Sequence, residues 1–286
     1  MNEEQFAASK SLWLDCFPED DAAFVDWYYR ERTAPRYALG VFIEGCRKPV
    51  AMLHMLPAEM RFSGENERVC LVAGVCTHPL YRGRGLCSAL FGRAFELMRE
   101  RGFAASVLQP FDTGFYERFG YKTYALRDKY VVSYDRTNTV VRPSEPIETA
   151  PDPELLFSVY TDFIEDLSGC TVRSPEYFRG FIGEYSLPGA YLAASPNACC
   201  AGYAEGASFT ATELFYRRDP ADALALLPAG FDKVAFALPC REEVRGRAGE
   251  LFPSAELTPA EPFCMLAPVL KDLSPDPALC YCLDRY

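Results

Sequence analysis

The sequence predicts a mixed α/β protein (an α+β mixed sheet in each part) built from two units in tandem, and three observations carry that reading. First, up to about residue 135 helical and strand periodicities follow one another in the order α-α-β-β-β-loop-α-β-α-β, as in a sheet layered with helices. Second, "RTNTVVRPSEPIETAPDP", from Arg136 to Pro153, has prolines without a hydrophobic period, the composition of a linker. Third, helices, a hairpin and a strand-helix-strand segment then recur in the first unit's order, a faint internal duplication. The units are read as residues 1–140 and 141–286.

The elements follow in order. In residues 9–32, Leu12, Trp13, Cys16 and Phe17 keep helical spacing and "PEDD" opens a second helix. "YALGVFIEG" and "KPVAMLHMLPAEMRF" read as a strand pair turning at Gly45. Val69 to Thr77 reads as a central strand, apolar enough to be covered on both faces. From Gly85 to Arg101, Leu86, Ala89, Leu90, Ala94, Leu97 and Met98 recur at helical steps, and Gly102 can close the helix in a left-handed cap. "AASVLQP" reads as a fourth strand, "TGFYERFG" as a short helix and "YKTYALRDKYVVSYD" as one or two closing strands. In the second unit "PELLFSVYTDFIEDLSG" and "SPEYFRGFIGEY" read as helices, and "GAYLAAS", "CCAGYAEG" and "TATELFYR" as antiparallel strands. "DPADALALLPAG" reads as a helix from an Asp219 cap to a Gly230 stop, and "DKVAFALP" as a strand.

Composition removes several function classes. The chain has 286 residues, 49% of them hydrophobic, 24% charged and with a formal net charge of −11. Such a surface repels nucleic acid and anionic membranes, so a polyanion would need a local patch. No leader and no window of 18 apolar residues is present, so a cytoplasmic protein is expected. The 12 cysteines include no C-x-x-C pair and only two histidines accompany them, so the sequence reads as buried reduced thiols with no metal site.

The chemistry concentrates in "THPLYRGRGLCSALF", residues 77–91, where a strand runs through a bare basic loop into a helix. Unpaired amides and the helix dipole favour an anion there. Gly83 and Gly85 tolerate positive φ and keep side-chain carbon away from a phosphate, while Arg82 and Arg84 add charge-assisted bonds. A pyrophosphate is the natural guest. The P-loop is excluded because Gly-Lys-Ser/Thr is absent, and G-x-G-x-x-G fails because Ser88 replaces its third glycine.

The element order, "VCTHPLYRGRGLCSALF" and "FYERFGYKTY" together resemble the GCN5-related N-acetyltransferases (GNAT), whose signature is Q/R-x-x-G-x-G/A at this junction. Arg82, Gly85 and position 87 occupy its marked places, with Cys87 departing from Gly or Ala. The resemblance implies acetyl-CoA as co-substrate, with the amides from Gly83 through Leu86 and Cys87 to Ser88 around the pyrophosphate. It also implies that backbone at Val75, Cys76 and Thr77 pairs with pantetheine. The likeness is closest to tandem acetyltransferases of the enhanced intracellular survival type, with an intact N-terminal domain and a degenerate second one; their carrier-like third domain has no counterpart here. "ELFYRRDPADALALL", at the second unit's equivalent loop, puts Asp219 and Pro220 where bare amides are needed, so that unit is expected not to bind CoA.

Acyl transfer to an amine needs a neutral amine, a polarised thioester carbonyl and an acid for the departing thiolate. The resemblance makes Tyr116 the acid, since a phenol stays protonated at neutral pH. For the base, the terminal carboxylate of Tyr286, His54, Asp112, Glu117 and water remain open. Trp27 and Tyr28, with Asp112, are candidates to line the acceptor pocket. The expectation is an N-acetyltransferase acting on a small-molecule or peptide amine, with neither nucleic acid nor membrane as partner and with a homo-oligomer allowed. The alternative is a non-catalytic CoA-binding sensor or interaction module.

Overall fold

The computed structural model describes residues 1–133, 145–273, 275–277 and 280–282. In the first unit, α1 (Glu3–Cys16) and α2 (Ala22–Glu31) precede β1 (Ala38–Phe42), β2 (Pro49–Phe62) and β3 (Glu65–Thr77). There follow α3 (Leu86–Glu100), β4 (Ala105–Leu108), α4 (Thr113–Glu117) and β5 (Lys122–Ser133). The first helix starts earlier than its apolar spacing indicates, because Asn2 and Gln5 form a reciprocal capping box. Gly102, at φ +73°, closes α3 as its position predicts. The segment read as one or two closing strands is the single strand β5.

The second unit holds α5 (Pro153–Phe163), the short strand β6 (Cys170–Thr171), α6 (Pro175–Glu184), β7 (Ala190–Ser195), β8 (Ala198–Glu205) and β9 (Ser208–Tyr216). It ends with α7 (Pro220–Leu224), β10 (Lys233–Leu238), α8 (Glu242–Leu251) and β11 (Glu256–Pro268). Apart from β6, its order is that of the first unit. Helix α7 stops at Leu224 rather than running towards Gly230, and α8 and β11 are elements that the sequence reading did not separate. Residues 136–144 of the expected linker, and the last two residues of the segment read as closing strands, lie outside the described residues.

One sheet joins both units in the order β1-β2-β3-β4-β11-β5-β10-β9-β8-β7, with β6 attached to β2. Each unit's last strand therefore leaves its own fourth strand and pairs beside the other's: β11 pairs with β4, and β5 with β10. Strands β11 and β5 also pair with each other at the centre. The halves are thus reciprocal about the β11–β5 pair.

Two separations in this sheet position the site. Strands β3 and β4 are parallel partners only at Val69↔Ala105, Cys70↔Ser106 and Leu71↔Val107, although β3 runs on to Thr77. Strands β9 and β10 likewise pair only from Ser208↔Lys233 to Thr210↔Ala235 before parting. On one face of the first cleft, α3 and α4 cover Ala51, Leu53, Val72 and Leu108. On the other, α1 and α2 cover Met52, Ala73 and Cys76. The alternation of the strands divides neighbouring residues between these faces.

Candidate active site

The gap between β3 and β4 opens at a bulge. Met52 pairs with Cys76 while His54 pairs with Ala73, so Gly74 and Val75 together oppose Leu53. Gly74 has φ +58°, and a Cβ there would lie 2.5 Å from the Trp13 ring. Only glycine meets both conditions. Beyond Leu71 the β4-facing edge of β3 has no strand partner among the described residues, leaving backbone groups free for an extended ligand.

At the end of β3 the chain makes a short turn over Pro79–Tyr81 and reaches α3. Gly83 and Gly85 both have φ +76°, and open space surrounds the place where each Cβ would stand. Gly85 is the N-cap of α3 and supplies no side-chain cap; the first helical bond runs from Ala89 N–H to the Gly85 carbonyl. The amides of Leu86, Cys87 and Ser88 thus lack helical acceptors, the arrangement that holds a phosphate. Arg82 donates from Nε to the Thr77 carbonyl at 3.1 Å, and Arg84 donates to the Leu80 carbonyl at 3.2 Å. Both arginine side chains are thereby tethered beside the loop. This cradle fits a pyrophosphate: open space, bare amides and two cations.

Val75, Leu86, Cys87 and Tyr116 pack into one cluster on the α3 side of the cleft. Tyr116 lies on α4, which Asp112 caps by accepting the Phe115 N–H at 2.8 Å. Its ring is only 3% exposed and stands edge-on to Phe91, Phe111 and Phe115. Burial, then the nearby Cys87, pushes the Tyr116 phenol above its ordinary range, keeping the proton on it. Burial likewise raises the Cys87 thiol, and Arg118 opposes it. Tyr121 points into the same core, its hydroxyl 2.6 Å from that of Ser106.

Cys76 projects to the opposite face, into a cluster with Trp13, Trp27, Tyr28 and Tyr29. Tyr28 is buried, and its hydroxyl is 3.2 Å from Nδ1 of His54, on which its ring stacks. Burial pushes His54 down to about 3, with the chain's amino terminus adding to the effect. A neutral, enclosed imidazole of that kind takes no proton from an ammonium at neutral pH. Trp27 faces the second unit: its indole N–H is buried without a hydrogen-bond partner, and it borders a 580 Å³ groove shared with Ser174, Tyr177 and Gly183. Arg32 spans the same junction, lying 4.4 Å from the Tyr177 ring centre and 3.3 Å from Glu184.

Tyr286 lies outside the described residues. Residues 280–282 are buried: Tyr281 donates its amide to the Ser168 carbonyl and its hydroxyl to that of Ala237. Sequence reasoning missed Gly74, although a lone glycine inside the apolar run "LVAGVC" is the signal of a bulge. In the second unit Asp219 caps the five-residue α7 and receives Arg247, so its carboxylate fills the place of the phosphate cradle. Among the described residues no group of three or more His, Cys, Asp or Glu side chains is arranged to hold a metal, and no helix is long and apolar enough to cross a membrane.

Comparisons with known proteins agree with this geometry. Residues 1–124 match the family model described as an acetyltransferase (GNAT) domain. No curated protein matches the chain in sequence. Among solved structures, a probable N-acyltransferase from Enterococcus faecalis V583 superposes with TM-score 0.72 at 17% identity, over 96% of this chain and 72% of that one. Eis1 from Mycobacterium abscessus does so with TM-score 0.67 at 15% identity, over 94% and 73%. A GCN5-related N-acetyltransferase from Anabaena variabilis gives 0.71 at 18%, over 94% and 71%. At these identities the likeness speaks for the fold, and it extends through both units. Residues 1–124 of this chain form an acetyltransferase domain of the GNAT family.

Proposed function

We propose that the protein is an acetyl-CoA-dependent N-acetyltransferase that moves an acetyl group onto a primary amine by direct attack on the thioester. The observation that supports this most is the meeting, at one strand gap, of the glycine-opened α3 N-terminus with the buried phenol of Tyr116. Acetyl-CoA, when bound, supplies the activated acyl carbon; the chain's own residues bind, orient and protonate. Arg82, Arg84 and the amides from Gly83 to Ser88 hold the pyrophosphate, and the free edge at Val75, Cys76 and Thr77 holds the pantetheine arm. Tyr116 donates its proton to the departing sulfur. The proton of the amine leaves to water, since His54 is enclosed and neutral.

The functional division falls near residue 140. The first unit carries the chemistry and the second, with Asp219 and Pro220 in its equivalent loop, shapes the acceptor side. Trp27 is the acceptor contact best supported, because its indole N–H lacks a partner beside an open groove. Tyr28 and Asp112 are already engaged by His54 and by Phe115, and act by positioning.

A thiol-release assay with acetyl-CoA over a panel of small amines and lysine peptides tests this reading. Tyr116→Phe should lower kcat about 100-fold while leaving acetyl-CoA affinity unchanged. Full turnover by that variant on every accepted amine would refute the acid role. Tight acetyl-CoA binding without amine-dependent thiol release would instead favour the sensor module.

A further inference from the structure

Helices α2 and α6 belong to different units and face each other across the 580 Å³ groove, a size that suits an extended ligand. On the α6 side the groove is bordered by Gly180 and Gly183, one helical turn apart. A Cβ at Gly180 would meet nothing within 4 Å, and one at Gly183 would meet only Nε1 of Trp27, at 3.6 Å. That nitrogen belongs to a side chain 4% exposed and has no hydrogen-bond partner among the described residues. A buried N–H without an acceptor is costly, and a ligand oxygen supplies the missing bond. Glycine gives the access: a small parting of α2 from α6 at Gly183 brings an oxygen to Nε1 without unlocking interdigitated side chains.

Charge narrows the ligand further. The whole chain carries −11, yet along this groove two arginines face two glutamates, Arg30 pairing with Glu31 at 2.7 Å and Arg179 with Glu176. A balanced groove gives no excess attraction to a polycationic amine. A protonated alkylamine, moreover, has donors only and nothing to offer the Trp27 N–H. A peptide main chain is neutral and carries a carbonyl acceptor at every residue. The aromatic wall is rigid: the Arg32 guanidinium lies 5.3 Å from the Trp27 ring centre and 4.4 Å from that of Tyr177, and it donates to the Tyr177 hydroxyl at 3.1 Å and to Glu184 at 3.3 Å. Trp27 also packs in one cluster with Cys76, so the groove adjoins the strand read as the pantetheine seat.

We infer that the α2–α6 groove binds the main chain of a peptide, one of whose carbonyls accepts from Trp27 beside Gly183, so that the acceptor is a peptide amine rather than a free alkylamine. Its role as acceptor rests on the acetyltransferase reading above; the peptide site does not.

The full-length protein is titrated calorimetrically with a capped alanine peptide bearing one central lysine. Thiol release from acetyl-CoA is then followed with that peptide, with n-butylamine, which has the same amine and no carbonyl, and with an aminosugar. Peptide binding is expected, with kcat/KM about tenfold above that of butylamine. Gly183→Ala puts a methyl group 3.6 Å from Nε1 in a helix that favours alanine, so it should fold at least as stably as wild type while weakening peptide binding about tenfold, the worth of one hydrogen bond. Trp27→Phe, which removes the N–H, should weaken binding to the same degree, and combining the two should bring no further loss. Absence of peptide binding, equal affinity in wild type and Gly183→Ala, or a preference for butylamine or the aminosugar over the peptide would overturn the inference. Peptide binding that Gly183→Ala weakens, without thiol release from any acceptor, would remove the acetyltransferase reading and leave the peptide site standing.

Discussion

Gly74 shows how much one residue can decide. Its positive φ makes the bulge from which β3 leaves β4, and its missing Cβ admits the edge of Trp13. Gly74→Ala should cost about 1–3 kcal/mol through backbone strain and overpacking, and should lower acetyl-CoA affinity as well. Thermal unfolding together with a binding titration checks both effects. His54 gives a residue-scale prediction about pH. Its folded value near 3 lies below the ordinary 6.5, so the unfolded chain binds a proton that the folded chain refuses between those values. Stability is therefore complete above pH 6.5 and falls by about 1.4 kcal/mol per pH unit as pH drops through that window. His54→Gln, which keeps a polar group of similar size without the titration, should flatten this part of the curve in denaturant titrations between pH 5 and 7. An unchanged slope would show that His54 is not its source.

At the scale of elements, caps and ion pairs set the positions of the functional groups. α4 is only five residues long, and the Asp112 cap at its start keeps Tyr116 turned into the cluster with Cys87. In the second unit a buried bidentate pair does comparable work: Arg173 donates to both carboxylate oxygens of Glu213 at 2.9 and 2.8 Å, and its guanidinium also lies over the Tyr160 ring. Arg173→Met would leave the Glu213 carboxylate buried without its main counter-charge, at a cost of about 3–5 kcal/mol. Adding Glu213→Leu should return most of that loss, because an apolar pair of similar volume removes the stranded charge. Chemical denaturation of the single and double variants measures the difference, and a double variant no better than the single would contradict it.

Over the whole molecule, the exchange of final strands binds two similar units into one sheet. Asp128 of β5 illustrates the dependence: its buried carboxylate accepts two bonds from Arg245 on α8, each 2.9 Å, and one from the Ala260 amide on β11. A fragment ending at residue 140 would lose β11 from between β4 and β5, exposing two central strand edges and leaving the Asp128 carboxylate without Arg245 and the Ala260 amide. We expect residues 1–140 expressed alone to be insoluble or to lack a cooperative unfolding transition, and co-expression with 141–286 to restore a soluble complex. A folded monomer of the short fragment would disprove this dependence.

The sequence by itself determined the local features. The Val69–Thr77 strand, the glycine loop and the amphipathic α3 were legible because each is written in contiguous residues as apolar runs, bare glycines and 3.6-residue spacing. The duplication was legible for the same reason, as an order of local patterns. Tertiary structure alone decided what came from distant residues: the early parting of β3 from β4, the seating of β11 beside β4, and the enclosure of His54 by Tyr28 and Trp13. Strand pairing and burial depend on which segments meet across tens of residues, or more than a hundred for β4 and β11, and no short window of sequence records that choice. Period-2 alternation shows that Val75 and Cys76 face opposite ways; only the packed helices show which of them meets Tyr116 and which meets the aromatic residues of α1 and α2.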